Sequence, residues 1–145
     1  MNAIGRLTNA PIDPTSLITQ VASAEHGAIL LFLGVVRDVN DGRGVTGIEY
    51  SAYEAMAASE LEAIATEATG KFATSSVVIE HRLGELGLEE ASVAIAVAHA
   101  HRDEAYAVSR WVIEELKRRV PIWKREHYVD GTREWVDPAG AKIHA

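Results

Sequence analysis

From Gly27 to Val36 the sequence reads Gly-Ala-Ile-Leu-Leu-Phe-Leu-Gly-Val-Val, with no charged side chain in the run. The run is far short of the roughly 20 residues that cross a bilayer. Near-continuous apolar character suits a buried strand better than an amphipathic helix, and we read a strand over Ala28 to Arg37. A chain built around such a strand has to supply further strands to pair with it and helices to cover it.

The flanking sequence supplies both. Asp13-Pro14-Thr15-Ser16 reads as a helix start, proline being suited to the first turn, and that helix runs to about Ala24. The turn-rich stretch Asp38 to Gly44 predicts a mobile loop. Ile48 to Tyr53 alternates as a strand. Ala57, Leu61, Ile64 and Ala68 then recur at helical spacing, with Gly70 as a stop. Two strands, Val77 to His81 and Ala91 to His99, are separated by a loop holding Gly84 and Gly87. Asp103 opens a helix whose apolar stripe is Ala105, Val108, Val112 and Leu116, and Pro121 ends it. Ile122 to Val129 is a last strand, and the tail around Trp135 and Pro138 reads as irregular. The order from Ile48 is β-α-β-β-α-β, which predicts an α+β, ferredoxin-like core with an additional N-terminal helix and strand. One domain is expected over residues 1–145.

Composition narrows the chemistry. With 48% hydrophobic and 24% charged residues, the 145-residue chain is of ordinary globular type. The absence of cysteine excludes a thiolate metal site, an iron–sulfur cluster and a cysteine nucleophile, and is compatible with a cytoplasmic address. No signal peptide or membrane segment is evident. A net charge of −7 argues against wholesale nucleic-acid binding. Against that background, Lys117, Arg118, Arg119, Lys124 and Arg125 lie together with no acidic residue among them, which points to an anion.

Lys117 and Lys124 bracket the helix break at Pro121, so a helix end and the following strand can fold both amines toward one pocket. Two close ammonium groups lower each other's pKa, which makes a lysine usable as a nucleophile or base. The plainer alternative is that basic residues favour helix C-termini. His101-Arg102 lies between a strand and a helix N-terminus, a ready anion site where arginine adds bidentate contacts. Arg37 ends the apolar strand. His99 and His101 share a strand face and, with His81, could form a three-histidine metal site, although no ligand sits at helical spacing. No phosphate-binding glycine loop and no nucleophile elbow is present.

Taken together these segments resemble the catalytic (large) subunit of molybdopterin synthase. The similar stretches are Gly27-Ala28 through Phe32-x-Gly34-x-x-Arg37, Ile48 to Tyr53 with Met56-Ala57, and His81-Arg82-Leu83-Gly84-Glu85. Ser92-Val93, His101-Arg102, Leu116-Lys117, Val120 to Glu126 and Trp135 complete the set, spanning about residues 15 to 137. The resemblance implies that Lys117 and Lys124 are essential active-site lysines. It also implies that Arg37, His101 and Arg102 bind a phosphate-bearing substrate, with Phe32 near the pocket. No metal and no cofactor is implied. The implied reaction is transfer of two sulfurs to cyclic pyranopterin monophosphate, giving the dithiolene of molybdopterin. Sulfur would arrive as a thiocarboxylate on the C-terminal Gly-Gly of a small ubiquitin-like sulfur-carrier subunit. The implied assembly is a heterotetramer, a central homodimer with one carrier at each end, in the cytoplasm. Two positions depart from the family pattern: His99 replaces a small or hydroxyl residue, and Glu89 stands at a turn position where glycine is usual.

Two other classes fit parts of the sequence. A non-enzymatic ferredoxin-like module could bind an anion or RNA, but RNA binding calls for aromatics on central strands, and Ala91 to His99 has none. A histidine-metal hydrolase would use His81, His99 and His101.

Overall fold

The computed structural model describes residues 2–136. Its elements are β1 (Ala3–Thr8), α1 (Pro14–Val21), β2 (Ala28–Val35), β3 (Val39–Asn40), β4 (Arg43–Ala52), α2 (Glu54–Lys71) and β5 (Ser76–Arg82). They continue as β6 (Gly84–Gly87), β7 (Ala91–His99), α3 (Arg102–Arg119), β8 (Ile122–Tyr128) and β9 (Arg133–Val136). The α+β class holds, and the anticipated β-α-β-β-α-β order is present as β4-α2-β5-β7-α3-β8, with β6 interposed.

Those strands divide between two sheets. One has the order β1-β5-β7-β2, and the other contains β3-β4-β8-β9 with β6 also paired to β4. Each of the two long helices therefore carries the chain from one sheet to the other.

The four-stranded sheet is buried on both faces, and the alternation of side chains on β7 shows how. Val93, Ile95 and Val97 pack with Leu61, Ile64, Val108 and Val112 under α2 and α3. Ala94, Ala96 and Ala98 face the other way, with Leu17 and Val21 of the short helix α1. The larger residues fill the thick layer and the alanines let α1 approach closely. The expected apolar stripes of both long helices are buried, with Ala65 added to that of α2. Asp13 caps α1, its Oδ1 accepting from the backbone N–H of Thr15 at 3.1 Å.

Several local expectations are corrected. β1 was not anticipated: it pairs in parallel with β5, and Gly5 lets it lie against α2, where a Cβ would fall 2.2 Å from the Leu61 carbonyl carbon. The stretch read as a mobile loop is instead a two-residue hairpin. Asp41 (φ 50°) and Gly42 (φ 76°) turn β3 into β4, so β4 begins at Arg43 rather than Ile48. The Gly84/Gly87 loop forms β6 on β4. α1 ends at Val21, before Ala24, and α2 continues past Gly70 to Lys71. Trp135 lies on β9 rather than in an irregular tail, while Pro138 lies outside the described residues.

Candidate active site

The seam between the sheets holds a cleft of about 180 Å³. One wall is the end of β2 and the segment after it, giving Phe32 and Arg37. The opposite wall is the C-terminal end of α3 and the start of β8, giving Lys117 and Lys124. Val120 caps α3 in extended geometry (ψ 124°), and the Pro121 corner sends β8 back along β4. That reversal brings two lysines from consecutive elements into one cavity, as the sequence suggested. Tyr50 on β4 pairs with Lys124 across the ladder and lines the same cleft.

β8 sorts its side chains by alternation. Trp123 and Arg125 face away, Trp123 edge-on to Tyr53 at 4.6 Å and Arg125 2.6 Å from Glu49. Lys124 and Glu126 face inward. Glu126 is 2% exposed and is surrounded by donors: Asn40 Nδ2 at 2.8 and 3.1 Å, the Tyr128 hydroxyl at 2.9 Å, and Lys124 Nζ at 3.5 Å. Burial, reinforced by the Glu126 carboxylate, pushes the Tyr128 phenol up. The Arg43 guanidinium stacks on the Tyr128 ring at 3.5 Å, which ties the β3–β4 hairpin to the site.

Lys117 is open to solvent through the mouth of the cleft, yet its amine is crowded. Burial around Nζ, and then the charge of Lys124, lower its pKa. The cleft thus offers three cationic side chains, Arg37, Lys117 and Lys124, beside one carboxylate already engaged by Asn40 and Tyr128.

His101 and Arg102 are not in this cleft. They are exposed at the N-terminal end of α3, whose 18 residues set its two ends about 25 Å apart. The three histidines do not converge either. His99 Nδ1 accepts the His101 backbone N–H at 3.1 Å, so Nε2 carries the proton and donates to the Ala73 carbonyl at 3.2 Å. Both ring nitrogens of His99 are therefore spent on backbone. His81 is buried on β5, and among the described residues no cluster of three metal-ligating side chains occurs.

Sequence reasoning missed Tyr50, Asn40 and Glu126, and also Ser92 of β7, which lines the same cleft. Glu126 was within reach: two residues from Lys124 on a strand, it had to share that lysine's face. Asn40 was hidden by the reading of its segment as a loop. Glu89 has a φ of +70°, the left-handed conformation glycine takes without strain.

The model of the MoaE protein family matches residues 7–119, from within β1 to the end of α3. The chain belongs to the MoaE protein family. Among its relatives, the molybdopterin synthase catalytic subunit of Emericella nidulans is 45% identical over 129 residues, covering 89% of this chain and 66% of that protein. The catalytic subunit of Bacillus subtilis is 41% identical over 130 residues, covering 90% of this chain and 82% of the other. The crystal structure of molybdopterin synthase from Staphylococcus aureus superposes with a TM-score of 0.86 at 33% identity, over 90% of this chain and 95% of that one. The MoaE-family chain thus spans about two thirds of its fungal relative and most of its bacterial ones.

Within this MoaE-family fold, β7 is buried along almost its whole length. That removes the exposed central strand on which an RNA-binding sheet stacks bases. No helix among the described residues is long and apolar enough to cross a membrane.

Proposed function

We propose that this chain is the catalytic subunit of a cytoplasmic molybdopterin synthase, a sulfurtransferase acting on cyclic pyranopterin monophosphate. The observation that carries the reading is the convergence of Lys117, Lys124, Arg37 and Phe32 on one cleft from three separate elements. Its reactants are both anionic, a cyclic phosphate and a thiocarboxylate tail, and a cleft with three cations attracts each of them. Arg37 clamps phosphate, while Phe32 offers an apolar face to the pterin. Lys117 lies nearest the incoming carbonyl, where it stabilises developing negative charge; Lys124 supports substrate binding and proton transfer. Each turnover moves one sulfur to the pterin and leaves the carrier's C-terminal Gly-Gly as a carboxylate, so two carriers are consumed per dithiolene. With no thiol in this chain, all the sulfur enters on the partner.

His101 and Arg102 join the site in this reading only from a second copy. β2 is an edge strand, all apolar from Ala28 to Val35, with Ile29 41%, Phe32 37% and Val35 52% exposed. A bare apolar edge of that length invites another strand. Two copies paired antiparallel through β2 place the Ala28 end of one beside the Val35 end of the other. Ala28 pairs with His99, and Gly27 lies so close to Ala100 that a Cβ would be 2.8 Å from its carbonyl oxygen. The second copy's His101 and Arg102 thereby approach Arg37. We take this homodimer, with one sulfur carrier at each end, as the working assembly.

The test is reconstitution. The chain is mixed with a thiocarboxylated ubiquitin-like carrier and cyclic pyranopterin monophosphate, and the dithiolene product is assayed. Product formation dependent on both components is expected; no product under conditions where a reference synthase works would overturn the reading.

A further inference from the structure

Behind the cleft lies a second, smaller cavity of about 20 Å³. Tyr50, Lys117 and Lys124 line both cavities and so form the partition between them. The far wall of the small cavity includes His81, with Leu116 and Ile122. The space suits a single water, and its polar walls supply the partners one needs.

His81 is 2% exposed. Its Nδ1 stands 2.9 Å from the Arg82 carbonyl oxygen. A carbonyl only accepts, so Nδ1 carries the ring proton and Nε2 of the neutral ring is a bare acceptor. The Tyr50 ring packs edge-on at 5.1 Å and fixes the imidazole plane. Burial, with the Lys117 charge adding to it, holds the His81 pKa down at about 4, so the ring is neutral at pH 7. None of these features serves the cleft chemistry described above.

We propose that His81 is a positioning residue for Lys117: its Nε2 accepts a hydrogen bond from the Lys117 ammonium through one water in the small cavity, and so anchors the amine at the partition. The chemical advantage lies in the acceptor's being uncharged. A carboxylate at this place would stabilise the ammonium strongly and undo the lowering of its pKa; a neutral imidazole orients the amine without adding an opposite charge. The titratable and charged groups around Lys117 are Tyr50 of β4, His81 of β5, Lys124 and Glu126 of β8, and Arg37 beyond β2. Of these, Glu126 lines the cleft but not the small cavity and is occupied by Asn40 and Tyr128, and the Tyr50 hydroxyl is hydrogen-bonded to Ser92, so His81 Nε2 is the acceptor turned to the small cavity.

The inference rests on the sulfur-transfer reading only in its kinetic arm. In the unmodified protein, imidazole ¹⁵N shifts are expected to show a protonated Nδ1 and an unprotonated Nε2; a proton on Nε2 overturns the proposal. Lysine ¹³Cε titrations, with Lys117→Arg assigning the resonance, follow the amine in His81→Gln, which keeps an acceptor, and in His81→Leu, which does not. The Lys117 midpoint should fall by about one pH unit in His81→Leu and stay near that of the parent in His81→Gln. Equal midpoints in all three proteins overturn the proposal. In sulfur transfer, His81→Leu should lose about tenfold in kcat with KM for the pterin little changed, and His81→Gln should recover most of it. A moved midpoint in a protein that transfers no sulfur supports the positioning role and sinks the functional reading instead.

Discussion

Lys124 Nζ stands 3.5 Å from a carboxylate oxygen of Glu126, two residues further along β8 and on the same face of the strand. The lysine side chain is 22% exposed and the glutamate 3%, so the pair is anchored at its acidic end and presents its basic end to the cleft. Removing the anchor leaves Asn40 without its acceptor, Tyr128 with only the longer contact to Glu134 Oε2 at 3.4 Å, and the lysine without this partner of opposite charge. Glu126→Ala is expected to cost about 1–3 kcal/mol of stability, and Asn40→Ala less. Urea unfolding of the two variants checks the order; equal losses would show that Asn40, not the carboxylate, governs the network.

Acid should weaken the fold through His81. Its pKa is depressed from 6.5 to about 4 in the folded protein. Between those values the unfolded chain binds the proton and the folded chain does not, so stability falls as pH drops through that window. The loss attributable to this ring is about 3 kcal/mol. Comparing urea unfolding at pH 7.5 and pH 4.5 for the parent and His81→Gln isolates it, because the acidic residues contribute equally to both. A parent that loses no more stability than the variant would contradict the assignment.

Glu89 spends conformational energy at the turn before β7. Its backbone N–H donates to the Val36 carbonyl at 2.7 Å, a bond that any residue can make, while its side chain tolerates φ +70° poorly. Glu89→Gly keeps the bond and relieves the strain, and should stabilise the protein by about 1 kcal/mol. A rise in melting temperature is the expected readout; a fall would mean that the glutamate side chain has a role of its own.

The proposed two-copy site makes a quantitative prediction about mixtures. Lys117→Ala and Arg102→Ala should each be nearly inactive alone. Unfolded together and refolded as equal parts, half of the dimers are mixed, and each mixed dimer rebuilds one of its two sites. About a quarter of parental sulfur-transfer activity should return. Mixtures no more active than their components would place Arg102 outside the site or the site within one chain.

Much of this was legible in the residues, for identifiable reasons. The stripe Ala105, Val108, Val112, Leu116 marked α3 because a long amphipathic helix repeats its signal several times. Lys117 and Lys124 were legible as a pair because Pro121 forces the chain to turn between them. What was lost depends on distant partners. β1 is short, and nothing within it reveals that a strand far along the chain will lie beside it in parallel. β6 owes its form to β4. Asp41-Gly42 is a hairpin signal in its own right, but the short strand before it made the segment read as a loop, and Asn40 was lost with it. The resemblance, not the residue pattern, put His101 and Arg102 on the same substrate as the lysines; within one chain the 18 residues of α3 hold the two ends about 25 Å apart.

The order β1-β5-β7-β2 also has a bearing on how the chain is made. Ala3 pairs with Val77, and Ala28 with His99, so both outer strands leave the ribosome before the central pair that receives them. At ordinary translation rates apolar β2 waits on the order of ten seconds for β7. β1 meets its partner as soon as β5 is made, whereas β2 has no partner strand until β7 follows, and pairing this non-local is slow to form. During that wait the nascent chain carries an apolar strand with nothing in its own sheet to pair with.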